Sequence, residues 1–293
     1  MIPVFLILAA ILMFAFQSTA LKKVEVSSLG QNLLVTGVSS GLIAVCLGGW
    51  ALAAGQSFSV YTLGYGVLFG LMFIVTLAVY HFAMQSGPLS YTAFFFSASM
   101  LIPSAAGLIF WQEPFTWNIG AGILLFLAAF YFISVFGGER GRKGSLRWFL
   151  LCALTWLFNG GLSVVMNLQQ KSLKAAGMPA EPGQMMLVSF AAASAAALIA
   201  WAVTAKGKFA AGGELLKNFW LPILLVGVGT GLGNVLVAYL TGVVPSSYLF
   251  PFVQGGTMVA VTLYSSLALK EKINRFGQLG ILLGVLAIVI INL

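Results

Sequence analysis

The chain has 293 residues, of which 60% are apolar and only 7% are charged. A soluble domain carries about 25% charged residues, so the composition excludes a soluble fold and indicates an integral membrane protein. The net charge of +8 does not indicate nucleic-acid binding, because the basic residues cluster in short loops between apolar runs.

Several kinds of chemistry are excluded by the residues that are missing. Aspartate is absent, His81 is the single histidine, and the acids are six glutamates spread along the chain. Intramembrane aspartyl proteolysis, a two-metal site and a histidine-rich metal site all need ligands that this sequence lacks. We therefore expect no bound metal, no cofactor and no enzymatic activity.

Ten apolar runs follow one another along the chain, and each is close to the length of about 20 residues that spans a bilayer core. They cover 3–21, 33–54, 61–85, 89–111, 115–136, 146–170, 183–204, 218–241, 246–269 and 274–292. The first run has no preceding Lys or Arg and no small-residue cleavage site, so we expect a retained span rather than a signal peptide. The predicted fold class is an all-α integral membrane protein with ten transmembrane helices.

The two halves of the chain resemble each other. A shift of 157 residues pairs polar, Pro and Gly positions as well as apolar ones: Leu68 with Leu225, Gly70 with Gly227, Pro88 with Pro245, Ser90 with Ser247, Tyr91 with Tyr248 and Phe95 with Phe252. A shift of 158 pairs Glu113 with Glu271, Gly122 with Gly280, Ile123 with Ile281 and Ala129 with Ala287. Five spans per half invert the second copy relative to the first. The predicted organisation is a five-helix repeat at 1–137, a basic linker at 138–145 and a second five-helix repeat at 146–293.

The distribution of Lys and Arg predicts how the bundle is oriented. If the ten spans are correct, twelve basic residues lie on one side and only two, Lys171 and Lys174, lie on the other. The twelve are Lys22, Lys23, Arg140, Arg142, Lys143, Arg147, Lys206, Lys208, Lys217, Lys270, Lys272 and Arg275. This bias predicts a multi-pass protein of the cytoplasmic (inner) membrane with a cytoplasmic linker and both termini extracytoplasmic.

Polar residues inside the spans follow helical spacing. On the sixth span they form a stripe of Asn159, Ser163, Asn167 and Gln170, and on the eighth a weaker one of Thr230, Asn234, Val237 and Thr241. Amides are costly in contact with lipid, so the stripes face either other helices or a wet cavity, and both alternatives stay open.

Other features have a structural interpretation beside a functional one. Small residues at close-packing spacing predict tight helix contacts: Gly37 and Gly41, Gly66 and Gly70, Gly229 and Gly233, Gly280 and Gly284. Pro103 and Pro251 free backbone carbonyls that either coordinate a solute or only kink the helix. Trp148 and Trp220 lie near span ends, where we expect interfacial anchors.

These motifs resemble the drug/metabolite transporter superfamily, in particular its ten-helix EamA-like permeases. The resemblance rests on Pro88-x-x-Tyr91 and Pro245-x-x-Tyr248, and on Glu113 and Glu271 with the Gly-Ile-Leu-Leu runs that follow them. It implies transport of a small metabolite, and we expect both glutamates to maintain the fold. Small members of the superfamily carry a glutamate in the first helix for proton exchange. Gln17 and Asn159 occupy that region here, which argues against proton-for-cation antiport by that device.

The sequence therefore predicts a secondary transporter that moves a small polar solute by alternating access. The expected substrate-binding residues are amides, hydroxyls and aromatic rings: Gln17, Tyr91, Trp156, Asn159, Asn234, Tyr239, Tyr248 and Gln254. Because no acid lies deep in a span, the pocket is neutral and best fits an amino acid or a similar metabolite. A quaternary amine such as choline, held over aromatic rings, is the alternative substrate.

Rival functions and the driving force remain to be weighed. A channel needs a ring of charges that the chain lacks, whereas a flippase for lipids or lipid-linked sugars can use a lateral groove and leave little trace. His81 is the only side chain in the predicted spans with an unperturbed pKa near neutrality, so it is the candidate for proton coupling, with Gln85 one turn away. A histidine that is simply hydrogen-bonded is the other interpretation. The expected partners are the solute and membrane lipids, with no nucleic acid, and the protein is expected to be a monomer.

Overall fold

The computed structural model describes residues 2–24, 26, 28–87, 89–133, 145–205, 209–267 and 274–293, and all regular secondary structure among them is helical. The helices are α1 (Ile2–Lys22), α2 (Leu29–Ala53), α3 (Val60–Ser86), α4 (Leu89–Ala98), α5 (Leu101–Trp111), α6 (Trp117–Tyr131), α7 (Leu146–Ala175), α8 (Pro182–Ala205), α9 (Phe209–Leu240), α10 (Ser246–Leu267) and α11 (Arg275–Ile291). The basic linker at 138–145 lies outside the described residues except for Ser145, as does Glu271.

Each predicted span coincides with a helix, and the fourth span is shared by α4 and α5. By length and hydropathy, seven segments of the described chain are able to cross a membrane: Pro3–Leu21, Leu29–Ala53, Val60–Ser86, Thr92–Trp111, Leu146–Ala175, Pro182–Ala205 and Phe209–Leu240. Helices α6 and α11 are apolar but shorter. The chain is thus an all-α protein with the helices of a multi-pass membrane protein. The count of ten spans and the inverted repeat remain predictions.

Local sequence explains several of the helix ends. Ser28, Thr116 and Asn274 precede α2, α6 and α11, and each accepts a hydrogen bond from the backbone N–H three residues later, at 3.3, 3.5 and 2.8 Å. These side chains are typical N-caps, because they pair one of the unbonded N–H groups of the first turn. Gly55 and Gly177 follow α2 and α7 with φ of +60° and +67°, a left-handed conformation that favours glycine.

The described chain folds into two compact units. Unit 1 consists of Met1–Ile11, Thr76–Val164 and Val243–Leu293, and unit 2 consists of Leu12–Val75 and Val165–Gly242. Each unit therefore takes helices from both halves of the sequence, and α1, α3 and α7 contribute to both. The two units do not coincide with the predicted sequence repeats at 1–137 and 146–293, and the repeats remain a prediction.

Glycines allow the helices of unit 2 to pack closely. A Cβ on Gly37 would lie 2.8 Å from Leu198 of α8, and the Gly37 carbonyl accepts a 2.8 Å hydrogen bond from Ser194 Oγ. On α9, a Cβ on Gly229 would lie 2.7 Å from the carbonyl oxygen of Met13 in α1. Side chains at these positions would push the helices apart, so the small residues serve tight packing as the sequence predicts.

In unit 1 the same device joins α6 and α11. A Cβ on Gly122 would lie 3.0 Å from Ile291, and one on Gly280 would lie 2.9 Å from the Ala129 carbonyl oxygen. Gly284 faces Val259 of α10 in the same way. Glycine thus leaves room for a side chain of the neighbouring helix at Gly122 and Gly284 and for its backbone at Gly280.

Trp148 is buried in unit 1, and the prediction that it is an interfacial anchor is wrong. Its ring packs with Ala83 and Cys152, and its Nε1 donates a 2.9 Å hydrogen bond to Thr92 Oγ1. Burial is possible because the indole N–H finds a partner inside the unit. Trp220 is 62% exposed, as an anchor would be.

Candidate functional site

The fourth predicted span is broken in its middle, between Ala98 and Leu101. Pro103 has no N–H, so the Ser99 carbonyl lacks its usual α-helical donor and instead accepts from Ile102 N at 3.0 Å. The N–H groups of Ser99 and Met100 also donate three residues back, at 3.3 and 3.4 Å. The helix thus tightens into a 3₁₀-like turn and restarts as α5. The prediction that Pro103 disturbs this span is confirmed.

Two of the predicted site residues, both on α7, bind this break. Trp156 Nε1 donates a 3.1 Å hydrogen bond to the Ala98 carbonyl. Asn159 Nδ2 donates to Ser99 Oγ at 2.6 Å and to the Phe96 carbonyl at 3.3 Å. Backbone and hydroxyl oxygens exposed by the break therefore meet the polar face of α7.

Glycine at position 160 lets α7 approach the break. A Cβ there would lie 2.7 Å from the Ser99 carbonyl oxygen and 2.6 Å from Ile102 Cβ, closer than real Cβ atoms come to other atoms. The Trp156–Asn159–Gly160 segment is thus fitted to the broken helix in shape as well as in hydrogen bonding.

Helix α3 brings an aromatic ring and an imidazole to unit 1. The Tyr80 ring lies 4.8 Å from the Phe96 ring, centroid to centroid, on the last turn of α4. His81 is buried, and its Nε2 lies 2.9 Å from Gln85 Nε2. The predicted contact between His81 and Gln85 is present. An amide nitrogen donates, so in this orientation of the Gln85 amide His81 Nε2 accepts and the ring proton is on Nδ1.

The groups gathered at the break, which we call the break site, are an indole, a carboxamide, a hydroxyl and backbone carbonyls, with the Tyr80 ring packed on the Phe96 ring. All are neutral, so the break site suits hydrogen bonding and ring contact with a polar solute rather than acid–base chemistry. Broken helices that expose backbone groups next to polar side chains are a recurring way to build solute sites inside membranes.

Two other predicted residues of unit 1 lie on α10. Tyr248 is in the first turn, and its hydroxyl is 2.5 Å from Asn292 Oδ1. Gly107 of α5 faces Ser246 in this first turn, and Gly107 is about 10 Å along the helix from the break. Tyr248 thus lies near the far end of α5. Gln254 is half-buried within α10, and the side chain of Tyr91 lies outside the described part of α4.

The remaining predicted residues belong to unit 2. Gln17 Cβ would be 2.9 Å from a Cβ on Gly229, so Gln17 lies where α1 packs on α9. Asn234 Nδ2 donates to the Thr230 carbonyl of its own helix at 2.8 Å, and Tyr239 is 44% exposed. Because the predicted residues are divided between the units, their assembly into a single pocket remains a prediction.

Two glutamates cap helices that are distant in sequence. Glu113 accepts hydrogen bonds at α10 from Ser246 N at 2.6 Å and Ser247 N at 3.3 Å, consistent with the expected role in the fold. Glu181, only 3% exposed, accepts from Ser59 N at 3.1 Å and Ser59 Oγ at 2.9 Å, just before α3. Sequence reasoning missed Glu181, because its partner Ser59 lies 122 residues away and no local pattern indicates the contact.

Buried amides also join α3 and α7 in unit 2. Asn167 and Gln169 are 0% exposed and Gln170 is 5% exposed, so the stripe on α7 is turned inward here. Gln169 Nε2 donates to Thr62 Oγ1 at 2.7 Å. Sequence reasoning missed Gln169, because the spacing of the stripe selects one face of the helix and Gln169 lies on the adjacent face.

No protein-family model matches the chain, and no curated protein matches it. Among solved structures, 28 chains match. One, described as "Crystal structure of protein", aligns with a TM-score of 0.70 over 99% of this chain and 98% of its own, at 17% sequence identity. At 17% identity this likeness shows a shared fold over nearly the whole length of both chains. It says nothing about activity.

Proposed function

We propose that the protein is a secondary transporter that moves a small polar organic solute across the cytoplasmic membrane by alternating access. On this proposal it is a member of the drug/metabolite transporter superfamily, of the ten-helix EamA-like type. Both termini are extracytoplasmic, and the 138–145 linker is cytoplasmic.

The observation that carries the proposal is the break in a membrane-length segment, Thr92–Trp111, against polar side chains of a second such segment. A straight apolar helix satisfies its own backbone and needs no such partners. The break leaves the Phe96 and Ala98 carbonyls and Ser99 Oγ bonded to α7, and discontinuous helices of this kind form the solute sites of many transporters. Trp156 and Asn159 are therefore proposed to exchange their contacts at the break for contacts with the solute.

The neutrality of the break site favours a neutral or zwitterionic solute, such as an amino acid. The break site has no carboxylate, so a solute with a net positive charge finds no counter-ion there. Tyr80 and Trp156 are aromatic, so a quaternary amine bound over rings is the alternative substrate.

Counterflow in proteoliposomes tests transport directly, with a panel of radiolabelled amino acids, choline and sugars. We expect exchange of labelled for unlabelled solute with at least one neutral amino acid. If no member of the panel is exchanged, the transport proposal fails for these classes.

Variants at the break site test where the solute binds. Asn159→Leu and Trp156→Ala should abolish solute-dependent thermal stabilisation while the purified protein stays monodisperse. Trp220→Ala, on the exposed face of α9, is the matched control and should keep the response. If the two variants aggregate and still bind, the bonds at the break only hold helices together.

A flippase for lipids or lipid-linked sugars is the second candidate, because unit 2 has a lateral apolar groove. The groove has a volume of about 200 Å³ and lies between α2 and α9. Its lining residues are Leu42, Ile43, Cys46, Leu47, Leu224, Gly227, Val228, Gly231, Leu232 and Val235. Scrambling of fluorescent phospholipids by the same proteoliposomes, without solute counterflow, would favour this candidate.

A further inference from the structure

The apolar groove between α2 and α9 lies on the side of α9 that faces away from its polar stripe. The groove is lined on α9 by Leu224, Val228 and Leu232, among others. Helix positions two residues apart are separated by about 200°, so Val228 and Leu232 point away from Thr230 and Asn234. Both helices are long and apolar enough to cross a membrane. The groove therefore opens toward the hydrocarbon of the bilayer.

Close contact between the two helices forms the floor of the groove. A Cβ on Gly227 would lie 3.2 Å from the Ser39 carbonyl oxygen, and one on Gly231 would lie 2.9 Å from Ile43 Cγ2. The equal steps of four residues show that α2 and α9 run parallel here. Ile43 is buried, whereas Leu42 beside it is 39% exposed and also lines the groove. The groove is thus a furrow with a packed floor and exposed apolar rims.

The shape of the groove suits a hydrocarbon chain. On α9 its lining extends from Leu224 to Val235, which is about 16 Å along a helix that rises about 1.5 Å per residue. Its volume of about 200 Å³ is smaller than the roughly 300–1,000 Å³ of sites that enclose a whole small molecule. A polar headgroup would lose its hydration among these side chains without gaining hydrogen bonds. One acyl chain fits, and the rest of a lipid must lie outside.

Positive charge is concentrated at one end of the same two helices. The segments 22–28, before α2, and 206–217, leading into α9, hold five lysines and two glutamates, a net charge of +3. They meet in the structure, because Val24 and Leu215 belong to one buried cluster. Lysines at a membrane surface attract the anionic headgroups of lipids.

Lys217 connects this charge with the groove. It is exposed and precedes Leu224 by seven residues, about 10 Å along α9. Its flexible stem lets the ammonium group reach the interface while the helix continues into the hydrocarbon. A phospholipid with its phosphate beside Lys217 therefore has its acyl chains at the level of the groove.

We propose that the groove binds one acyl chain of an anionic glycerophospholipid whose phosphate pairs with Lys217. The lipid is held in place and does not cross the bilayer, so this site differs from the pathway of a flippase. The inference goes beyond the transport function and does not depend on it, because the groove belongs to unit 2 and the break site to unit 1.

Native mass spectrometry of the purified full-length protein measures lipid binding directly. The protein is equilibrated with equal amounts of dioleoyl phosphatidylglycerol and dioleoyl phosphatidylcholine. The wild type should retain one phosphatidylglycerol at least fivefold more often than one phosphatidylcholine. Equal retention of the two lipids refutes the headgroup contact, and a lipid-free dimer shows instead that a second copy covers the groove.

Filling the groove tests where the acyl chain lies. Cys46 lines the groove and is exposed, so Cys46→Phe fills the furrow without pushing the helices apart. It should lower the fraction of protein with a bound lipid at least fivefold. Val45→Phe is the matched control, because Val45 is 74% exposed and does not line the groove. Val228→Phe repeats the test from α9, and lipid retention equal to that of the control in both groove variants overturns the proposal.

The headgroup contact has its own pair of variants. Lys217→Gln should reduce the preference for phosphatidylglycerol over phosphatidylcholine at least threefold. Lys174→Gln, an exposed lysine at the end of α7, is the control and should keep the preference. An unchanged preference in Lys217→Gln refutes the role of this lysine.

Scrambling of fluorescent phospholipids in proteoliposomes separates a bound lipid from a moving one. The wild type should leave the rate of transbilayer movement at the level of protein-free vesicles. Fast movement in the wild type that stops in Cys46→Phe would show that the groove carries lipid across the bilayer, and the proposal of a bound lipid would then be wrong.

Discussion

Restoring the missing N–H of the broken helix is the most direct test of the break site. In Pro103→Ala, the new N–H lies four residues after Ser99 and can donate to the Ser99 carbonyl, which now accepts from Ile102 N at 3.0 Å. The variant can therefore form one continuous α-helix through 99–102. A straight helix would move the Phe96 and Ala98 carbonyls and Ser99 Oγ away from α7.

Two opposing terms set the expected change in stability. Proline in a helix interior costs about 3 kcal/mol relative to alanine. Straightening gives up three hydrogen bonds to Trp156 and Asn159, at 3.1, 2.6 and 3.3 Å, and interhelical hydrogen bonds in membranes contribute about 0.6 kcal/mol each. The net change is a gain of about 1 kcal/mol, which corresponds to a rise in Tm of about 2–4 °C.

Transport should change far more than stability. We expect counterflow in Pro103→Ala to fall at least tenfold, because the carbonyls and hydroxyl at the break no longer lie beside Trp156 and Asn159. Pro114→Ala, in the exposed turn between α5 and α6, is the control and should match the wild type. A role for the break would be refuted by a variant that combines three properties. These are a raised Tm, a change in Trp156 fluorescence that reports the lost hydrogen bond, and wild-type counterflow.

Three further predictions concern orientation, coupling and packing. An impermeant thiol reagent added outside should label a cysteine placed after Leu293 and spare one at Gly141; the reverse means a miscounted span or an exception to the charge rule. His81→Gln should keep solute exchange but lose accumulation driven by a pH gradient, and persistent accumulation would leave uncoupled or Na⁺-linked transport. Gly70→Ala should lower the free energy of unfolding by about 1–3 kcal/mol, and the Tm with it, because its Cβ would overlap the backbone of α8. Gly64→Ala, with open space around it on the same helix, should change little, and equal effects would contradict the packing argument.

The positions of the helices could be predicted because hydropathy and length report directly on the lipid environment. The same information locates Pro103 in the middle of a span, and the chemistry of proline then predicts a disturbed helix there. Glycine pairs such as Gly37 and Gly41 likewise predict close helix contacts, since only small residues let backbones approach.

Tertiary partners could not be predicted, because an apolar sequence contains no signal for which polar groups meet. The distance of Trp148 from a span end predicts an interfacial ring, but Thr92 lies 56 residues away and provides the partner that allows its burial. Glu181 lies just outside a predicted span, where a solvated side chain is expected, although Ser59 makes it a buried cap. Position along a span does not determine exposure in either case.

The amides of α7 show most clearly what a structure adds to a sequence pattern. Spacing alone makes Asn159 and Gln170 equivalent members of one stripe, and their chemistry is the same. In the structure, Asn159 donates two hydrogen bonds at the break, while Gln170 Nε2 is buried with no partner among the described residues. A paired amide is explained by the fold, whereas an unpaired one is not. The structure therefore separates two amides that helical spacing alone makes equivalent.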